Sequence, residues 1–346
     1  MIKVKKEGVI LEKTRLEFED QAVLNPAVIQ DGYNLHMFYR AVKKGNLSSI
    51  GYCRLEGPLK VMERSKKPVL YPQYKYETHG IEDPRIVFLD DQYYLTYTAY
   101  DGKNALAAYA VSKDLKKFKK KGILSPKISY DEAEDIFRHE KEKHGSLKDR
   151  YFFFESYYKD VVGQDVMLWE KDVFFFPKKI NGKFALVHRI LPDMHIAYFK
   201  RLSQLNLKYW KDYLRHLDKH VLLDARHWFE SRNIGGGAPP IETEHGWLLI
   251  YHAVEDRNKG KVYRAGAALL SKKDPQKVIG HLDQPLFSPE KDYEMSGDVN
   301  NVVFPTGTAV FGDKLYIYYG AADKRIAAAS VSMRALLKEL IKPKEH

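Results

Sequence analysis

The segment DPRIVFLDDQYYLTYTA, residues 83–99, contains the pattern that decides the fold. A proline begins a short apolar run, Asp90 and Asp91 supply a tight turn, and a second run rich in Tyr, Leu and Thr follows. Apolar and aromatic runs on the two sides of a short turn are typical of a β-hairpin. The segment therefore predicts two antiparallel strands.

Four further segments repeat this pattern, and a strand-like stretch follows the hairpins. The repeats are NPAVIQDGYNLHMFYRA (25–41), FPKKINGKFALVHRI (176–190), PPIETEHGWLLIYHA (239–253) and FPTGTAVFGDKLYIYYGAA (304–322). The additional strands are expected at residues 49–53, 105–111, 195–200, 262–270 and 326–331. A hairpin plus a strand, repeated every few tens of residues, is typical of propeller blades. We predict an all-β fold, a single five-bladed β-propeller domain over residues 1–346; a β-sandwich is the alternative.

The longest gap between repeats, from Pro84 to Pro177, predicts an insertion. Residues 130–143 are highly charged and are expected to be partly helical. Residues 206–220 carry Tyr and Trp at spacings that suit one helix face, and residues 333–341 predict a C-terminal helix. The propeller is thus expected to carry short helical insertions but no second domain.

The composition restricts the partners that this chain is expected to have. Its formal net charge of +11 comes from scattered lysines, and the densest run, residues 116–121, is interpreted as a solvated loop. No nucleic-acid motif accompanies this charge, so no nucleic-acid partner is predicted. A single cysteine, the absence of a signal-peptide pattern and the absence of a long apolar run predict a cytoplasmic protein without membrane contact. An oligomer is possible.

The repeat also aligns one position at the end of each second strand. The residues there are Arg40, Thr98, Arg189, His252 and Gly320. A propeller would bring Arg40, Arg189 and His252 together from separate blades, where an anion would relieve their mutual repulsion. The alternative is that each of the three is paired with an acidic side chain.

The motif GIEDPR, residues 80–85, combines two carboxylates and an arginine at the start of a strand. Pro84 is expected to hold Asp83 extended, so that its carboxyl group projects into a central funnel as a general acid. A structural aspartate paired with Arg85 is the alternative.

Two weaker signals involve glycine. NIGGGAPP, residues 233–240, permits close backbone approach but is not a P-loop, and GAAD, residues 320–323, places Asp323 after an aromatic strand. Asp323 is either a sugar ligand or a turn residue. No spacing of His or Cys predicts a metal site.

Taken in order, GIEDPRI, DVFFFPKKINGKFALVHR, IGGGAPPIETEHGWLLIYHAVED, VYRAGAALL and GDVNNVVFPTGTAVFGDKLYIYYGAAD resemble glycoside hydrolase family 130. The resemblance covers approximately residues 25–332 and implies a five-bladed propeller that acts on β-mannosides. It implies Asp83 as general acid, its proton passing through a mannose hydroxyl. Phosphate would be bound by Arg40, Arg189, His252, Tyr263 and Lys171, and Asp323 would contact the sugar. Arg85, Asn233 and Glu230 are further candidate substrate-binding residues.

One departure from the family pattern bears on the reaction. Phosphorolytic relatives usually carry lysine where this chain has Asn233. If the enzyme were a hydrolase instead, the nearby Glu230 could act as the base that activates water. We predict a phosphorylase that cleaves β-mannosides with inorganic phosphate and inversion, giving α-mannose 1-phosphate, without a cofactor. Hydrolysis by an inverting β-mannosidase and non-catalytic carbohydrate binding are the alternatives.

Overall fold

The structure is a computed structural model that describes residues 2–144, 147–163, 165–258 and 260–342. It is mostly β, as predicted, with 47% of residues in strands and 18% in helices. The strands are β1 (Lys5–Leu11), β2 (Ala22–Asp31), β3 (Asn34–Lys43), β4 (Leu47–Glu56), β5 (Lys60–Arg64), β6 (Gly80–Leu89), β7 (Gln92–Tyr100), β8 (Ala105–Ser112), β9 (Lys119–Ile123), β10 (Phe174–Phe175), β11 (Phe184–Ile190), β12 (Asp193–Phe199), β13 (Val221–Leu223), β14 (Asn233–Gly236), β15 (Ile241–Glu242), β16 (Trp247–Arg257), β17 (Gly260–Leu270), β18 (Val278–His281), β19 (Val303–Phe311), β20 (Lys314–Ala321) and β21 (Arg325–Ser332). The helices are α1 (Tyr130–His144), α2 (Asp149–Val162), α3 (Leu207–Arg215), α4 (Asp292–Met295) and α5 (Met333–Leu340).

All five predicted repeats form antiparallel units, and apart from β1 in the last unit their strands pair in the order in which they occur along the chain. The units are β2-β3-β4-β5, β6-β7-β8-β9, β10-β11-β12-β13, β14-β16-β17-β18 with β15 beside β16, and β19-β20-β21-β1. One parallel pair, Ser48 with Gly80, joins the first two units into a single sheet. The additional strands predicted after the hairpins are β4, β8, β12, β17 and β21.

The last unit is completed by the N-terminal strand, which the sequence did not predict. β1 runs antiparallel to β21, with Lys5 opposite Ser330 and Leu11 opposite Ile326. β1 has neither the proline nor the hairpin turn that marks the repeats, so its pairing could not be recognised from that pattern.

Neighbouring units contact one another mainly through their first strands. β2 lies against both β19 and β6, β6 lies against β10, and β14 packs on β11 and β12. β19 in turn contacts β16 and β17. Apolar side chains fill the spaces between units; Phe176 and Trp247, for example, meet edge to face with ring centroids 5.3 Å apart.

The helices follow the prediction, with two additions, α2 and the short α4. α1, α3 and α5 lie where helical segments were expected. α2 was not predicted; it packs beside α1, where Phe137 and Tyr151 belong to the same buried cluster. α2 also directs Tyr158 toward the cavity described below. Among the residues that the structure describes, no helix has the length and apolar character needed to cross a membrane.

Among the described residues, a buried glutamate that is hydrogen-bonded to a tyrosine recurs beside four of the five units, and we call each such group an outer cluster; beside the third unit, Glu170 contacts His188 instead. In each cluster the glutamate accepts a hydrogen bond from a tyrosine on the second strand and contacts a basic side chain from the outer strand. The four clusters are Glu19–Tyr39–Arg64, Glu77–Tyr97–Lys120, Glu230–Tyr251–His281 and Glu294–Tyr319–Lys6.

The second outer cluster corrects the interpretation of the lysine run. Lys119–Ile123 is strand β9 rather than a solvated loop. The side chain of Lys120 is 3% exposed, and its Nζ lies 2.6 Å from Glu77 Oε2. One lysine of the run therefore neutralises a buried carboxylate.

Candidate active site

One cavity of about 220 Å³ contains most of the residues that the sequence singled out. Its lining includes eight of them, namely Arg40, Asp83, Lys171, Arg189, Asn233, His252, Tyr263 and Asp323. Arg85 and Glu230 do not line it. The cavity is therefore the candidate active site.

The repeat explains why these side chains meet. Arg40, Arg189 and His252 occupy the same position on β3, β11 and β16, and all three line the cavity. Gly320 is the equivalent residue on β20, and a Cβ there would lie 2.1 Å from Asn25 Oδ1. Glycine is required at this position because the side chain of Asn25 fills the space.

Asp83 lies at a β-bulge and is not extended as expected. Its φ is 49°, and the pairing of β6 with β7 shifts between Glu82 and Arg85. Asn25, the equivalent residue of the first repeat, has the same φ, and its Nδ2 donates to Asp83 Oδ1 at 2.8 Å. The bulge directs the carboxylate into the cavity, since bulges re-aim side chains.

Arg40 is paired with acidic groups, as the alternative interpretation of its position proposed. Its Nη2 donates to Glu82 Oε1 at 2.7 Å, and its Nη1 lies 3.6 Å from Asp83 Oδ1. Lys171 Nζ lies 3.5 Å from the other oxygen of Glu82. Glu82 thus holds both cations beside the candidate acid.

Asp323 is a second carboxyl group on this side of the cavity. It has a φ of 50°, in a turn between β20 and β21. Burial, followed by the negative charge of Asp83, raises the pKa of Asp323 to about 6, although Arg40 opposes the rise. Asp323, which lies near the carboxyl group of Asp83, therefore keeps its proton up to slightly acidic pH.

Asp172 organises the opposite side of the cavity, and the sequence analysis did not identify it. Its Oδ2 lies 2.8 Å from Arg189 Nη1 and 3.8 Å from His252 Nε2. Burial raises the pKa of Asp172, but Arg189, His252 and Arg85 outweigh this effect and hold it below the ordinary value. Asp172 is therefore an ionised carboxylate within a cationic pocket. Asp172 is the first residue of the stretch DVFFFPKKINGKFALVHR, but it precedes the predicted hairpin repeat at 176–190 and was given no role.

Several buried polar atoms on this side have no hydrogen bond within the described ranges. They are Arg189 Nε and both ring nitrogens of His252, while Asp172 Oδ2 has only its ion-pair contact with Arg189 Nη1. Burial lowers the pKa of His252 to about 4, so its ring is neutral near pH 7. Buried polar groups are normally paired, so this set indicates a site that a polar ligand completes.

Tyr263 and Asn233 lie beside further cations that the sequence analysis did not single out. Arg232 and Lys261 also line the cavity. Burial, with Arg232 as the next cause, lowers the pKa of Lys261. These two side chains bring positive charge close to the position where Asn233 replaces the expected lysine.

Arg85 connects the two sides from behind the cavity wall and is not placed to contact substrate. It is 1% exposed. Its Nη1 donates to the backbone oxygen of Asp83 at 3.0 Å, and its Nη2 lies 3.5 Å from Asp172 Oδ1. It also donates to the carbonyl oxygens of Gly236 and Gly237. Arg85 is thus a positioning residue, and the sequence-based expectation of a substrate contact is corrected.

Glu230 also lies away from the cavity, and the expectation that it serves substrate or water is corrected. It is fully buried, its Oε2 accepts from the backbone N–H groups of Arg226 and His227, and its Oε1 accepts from Tyr251. Glu230, His227 and His281 hold ligand-type atoms within 4.8 Å of one another, a spacing that could suit a metal ion. Because Glu230 and His281 occupy the glutamate and cation positions of an outer cluster, the repeat gives them a structural explanation.

The glycine run provides close packing. A Cβ on Gly235 would lie 2.3 Å from the His252 ring and 2.9 Å from Asp172 Oδ2. A side chain here would displace the two groups that form the pocket, so glycine keeps β14 close to β16.

Comparison with known proteins decides the family. The model of glycoside hydrolase family 130, described as beta-1,4-mannooligosaccharide phosphorylase, matches residues 6–342. The chain belongs to glycoside hydrolase family 130. The resemblance seen in the sequence is thereby confirmed, and with it the expectation that the chain is an enzyme.

Two curated relatives from Thermoanaerobacter sp. (strain X514) match most of this family 130 chain. A 1,2-beta-oligomannan phosphorylase is 35% identical over 347 residues, 96% of this chain and 99% of the relative. A beta-1,2-mannobiose phosphorylase is 36% identical over 331 residues, 91% of each chain. The solved structure of beta-1,2-mannobiose phosphorylase from Listeria innocua, in complex with beta-1,2-mannobiose, has a TM-score of 0.72 at 23% identity and covers 98% of this chain and 99% of its own. At that identity, the likeness supports the fold.

Proposed function

We propose that this enzyme cleaves β-1,2-linked mannosides with inorganic phosphate and releases α-mannose 1-phosphate with inversion at the anomeric carbon. The observation that carries the proposal is a single cavity lined both by two carboxyl groups, Asp83 and Asp323, and by hydrogen-bond donors that suit an anion, Arg189 and His252. The β-1,2 linkage rests on the names of the two Thermoanaerobacter relatives.

Asp83 is proposed as the general acid. Inverting hydrolysis needs an acid and a second carboxylate that activates water. In phosphorolysis the attacking phosphate replaces that water and its base, so one acid is sufficient. Asp83, held by Asn25 and the bulge, would protonate the glycosidic oxygen through a mannose hydroxyl, and Asp323 would bind hydroxyl groups of the same sugar.

The donors around Arg189 and His252 are proposed to bind and orient phosphate. The guanidinium of Arg189 and the ring of His252 have buried nitrogens without partners among the described residues. Tyr263, Lys171 and Arg40 line the same cavity, and Glu82 holds both Arg40 and Lys171. Preorganised donors stabilise an attacking anion and align it with the anomeric carbon.

The arrangement of the units supports a closed ring, and we propose that they form a five-bladed propeller. Each first strand contacts the first strand or hairpin of its neighbours, and β1 completes the last unit. In such a ring the first strands surround the axis, which is where the cavity would open. An experimental structure of the enzyme tests this arrangement directly.

Hydrolysis is the second candidate, because Asn233 replaces a cation and Asp172 supplies a carboxylate opposite Asp83. The pKa of Asp172 is held below its ordinary value, which makes it a weak base for activating water. This electrostatic environment favours phosphorolysis.

The deciding experiment incubates the enzyme with β-1,2-mannobiose in the presence and absence of phosphate and identifies the products by nuclear magnetic resonance. We expect α-mannose 1-phosphate and mannose with phosphate, and almost no cleavage without it. Free mannose formed at the same rate in both samples would establish hydrolysis. Binding of the disaccharide without any cleavage would support a carbohydrate-binding role. Comparison with β-1,4-mannobiose tests the linkage.

A further inference from the structure

The carboxylate of Asp172 is an unexpected group in a pocket for an anion. Its side chain is 2% exposed and lines the cavity. Two of the donors proposed for phosphate, Arg189 Nη1 and His252 Nε2, lie 2.8 and 3.8 Å from its Oδ2. An anion that accepts hydrogen bonds from both donors must therefore bring an oxygen close to this carboxylate.

Two ionised oxygens in such close contact repel each other unless a proton lies between them. An ionised carboxylate can only accept hydrogen bonds. Asp172 Oδ2 is in ion-pair contact with Arg189 Nη1 at 2.8 Å, but no residue in the described part of the chain donates a well-aligned hydrogen bond to it. Inorganic phosphate still carries at least one proton near neutral pH, whereas sulfate carries none. Phosphate can donate this proton to Asp172; sulfate cannot.

We propose that Asp172 is a specificity-determining residue that accepts a hydrogen bond from the protonated oxygen of bound phosphate and thereby excludes sulfate. This inference rests on the proposed phosphate site. It extends to arsenate, which has the same shape and also retains a proton. No bond is made or broken in this role, because the proton stays on the bound anion.

A different role would be purely electrostatic. Asp172 also neutralises Arg85, which is fully buried, and Arg189, whose side chain is 12% exposed. If charge balance were its whole function, removing the carboxylate would strengthen the binding of phosphate and sulfate equally. The ratio of the two affinities, rather than either affinity alone, therefore distinguishes the two roles.

The test measures binding of phosphate, arsenate and sulfate by calorimetry at about pH 8, where phosphate is mainly a dianion like sulfate. The wild-type enzyme is expected to bind sulfate about 10- to 100-fold more weakly than phosphate, since an unpaired buried acceptor is costly. Arsenate should bind within a few fold of phosphate. Equal wild-type affinities for sulfate and phosphate would overturn the proposal without any variant.

Asp172→Asn provides the second arm, because an amide can donate to a fully deprotonated oxygen. We expect its phosphate-to-sulfate ratio to fall to within a few fold. Asp323→Asn is the matched control, since it removes one carboxylate from the other side of the cavity and should leave the ratio unchanged. A wild-type ratio retained in a folded Asp172→Asn would contradict the proposal.

Phosphate binding and phosphate-dependent cleavage are measured separately, so the two proposals can fail independently. Selective phosphate binding without phosphorolysis would refute the proposed function and leave the role of Asp172 intact. Phosphorolysis by an enzyme that binds phosphate and sulfate equally well would refute the role of Asp172 and support the proposed function.

Discussion

The outer clusters and the cavity both contain buried charges, but they differ in how completely those charges are paired. In the outer clusters each glutamate is satisfied; Glu77, for example, accepts from Tyr97, Lys120 and two backbone N–H groups. In the cavity, Arg189 Nε and the ring nitrogens of His252 have no hydrogen bond among the described residues. The first arrangement stabilises the fold by itself, whereas the second requires a ligand.

The comparison also explains why Glu230 was misjudged from sequence. It lies close in the chain to the glycine run, and a glutamate near a predicted site suggests chemistry. Its counterparts Glu19, Glu77 and Glu294 show that the same buried acid recurs where no site was predicted. A residue type that recurs in most units is explained by the repeated structure. A position at which one unit differs from the others is the better indicator of function.

The largest effect on activity is expected from replacing the candidate general acid in the cavity. Asp83→Asn should reduce phosphorolysis about a thousandfold, because general acid catalysis typically contributes 10²–10⁴-fold. The melting temperature should change little. Rates with β-1,2-mannobiose and phosphate are compared with those of Asp91→Asn, a change in an exposed turn, which should behave as wild type. An active Asp83→Asn enzyme would remove Asp83 from the mechanism.

A substitution in an outer cluster should lower the stability of the protein and leave its activity almost unchanged. Glu230→Gln should lower the free energy of unfolding by about 1–3 kcal/mol, since it removes a buried charge from Tyr251 and His281. Its kcat/KM should stay within a few fold of wild type while the protein is folded.

Glu77→Gln is the matched variant for this prediction, and denaturant unfolding of both proteins provides the measurement. The two changes should have similar effects. A large loss of activity in Glu230→Gln at unchanged stability would assign Glu230 to the catalytic machinery and invalidate the distinction between the two regions.

The smallest effect concerns Asp323 and depends on pH. Because burial raises its pKa from 3.8 to about 6, its contribution to stability is present below about pH 4 and is lost as the pH rises through about 6. Asp323→Asn should therefore stabilise the enzyme by about 1–2 kcal/mol at pH 8, since one pKa unit corresponds to about 1.4 kcal/mol before screening.

The measurement is the difference in unfolding free energy between wild type and Asp323→Asn at about pH 5 and about pH 8. The gain should be greater at the higher pH, while activity falls because a sugar ligand is altered. An equal difference at both values would mean that Asp323 ionises as an exposed aspartate does.

The sequence predicted much of the fold because five hairpins share one hydrophobic pattern and its turn chemistry. It also predicted that Arg40, Arg189 and His252 lie together, because residues at the same position of a repeat occupy equivalent places in the folded structure. It could not predict Asp172, which belongs to no repeated motif, nor the left-handed conformation of Asp83, which depends on a bulge. The tertiary roles of Asn25 and Arg85 are set by contacts across more than one unit and leave no local pattern.

The pairing of β1 with β21 has a consequence for handling this enzyme. Asp323 lies two residues before β21, and β21 has β1 on one side and β20 on the other. Trimming the first eleven residues would expose a bare strand edge that invites aggregation, and would deprive Glu294 of its partner Lys6. Proteolytic cleavage near the start of the chain should therefore disturb Asp323, which is proposed to bind the sugar, although more than three hundred residues separate the two positions in the sequence.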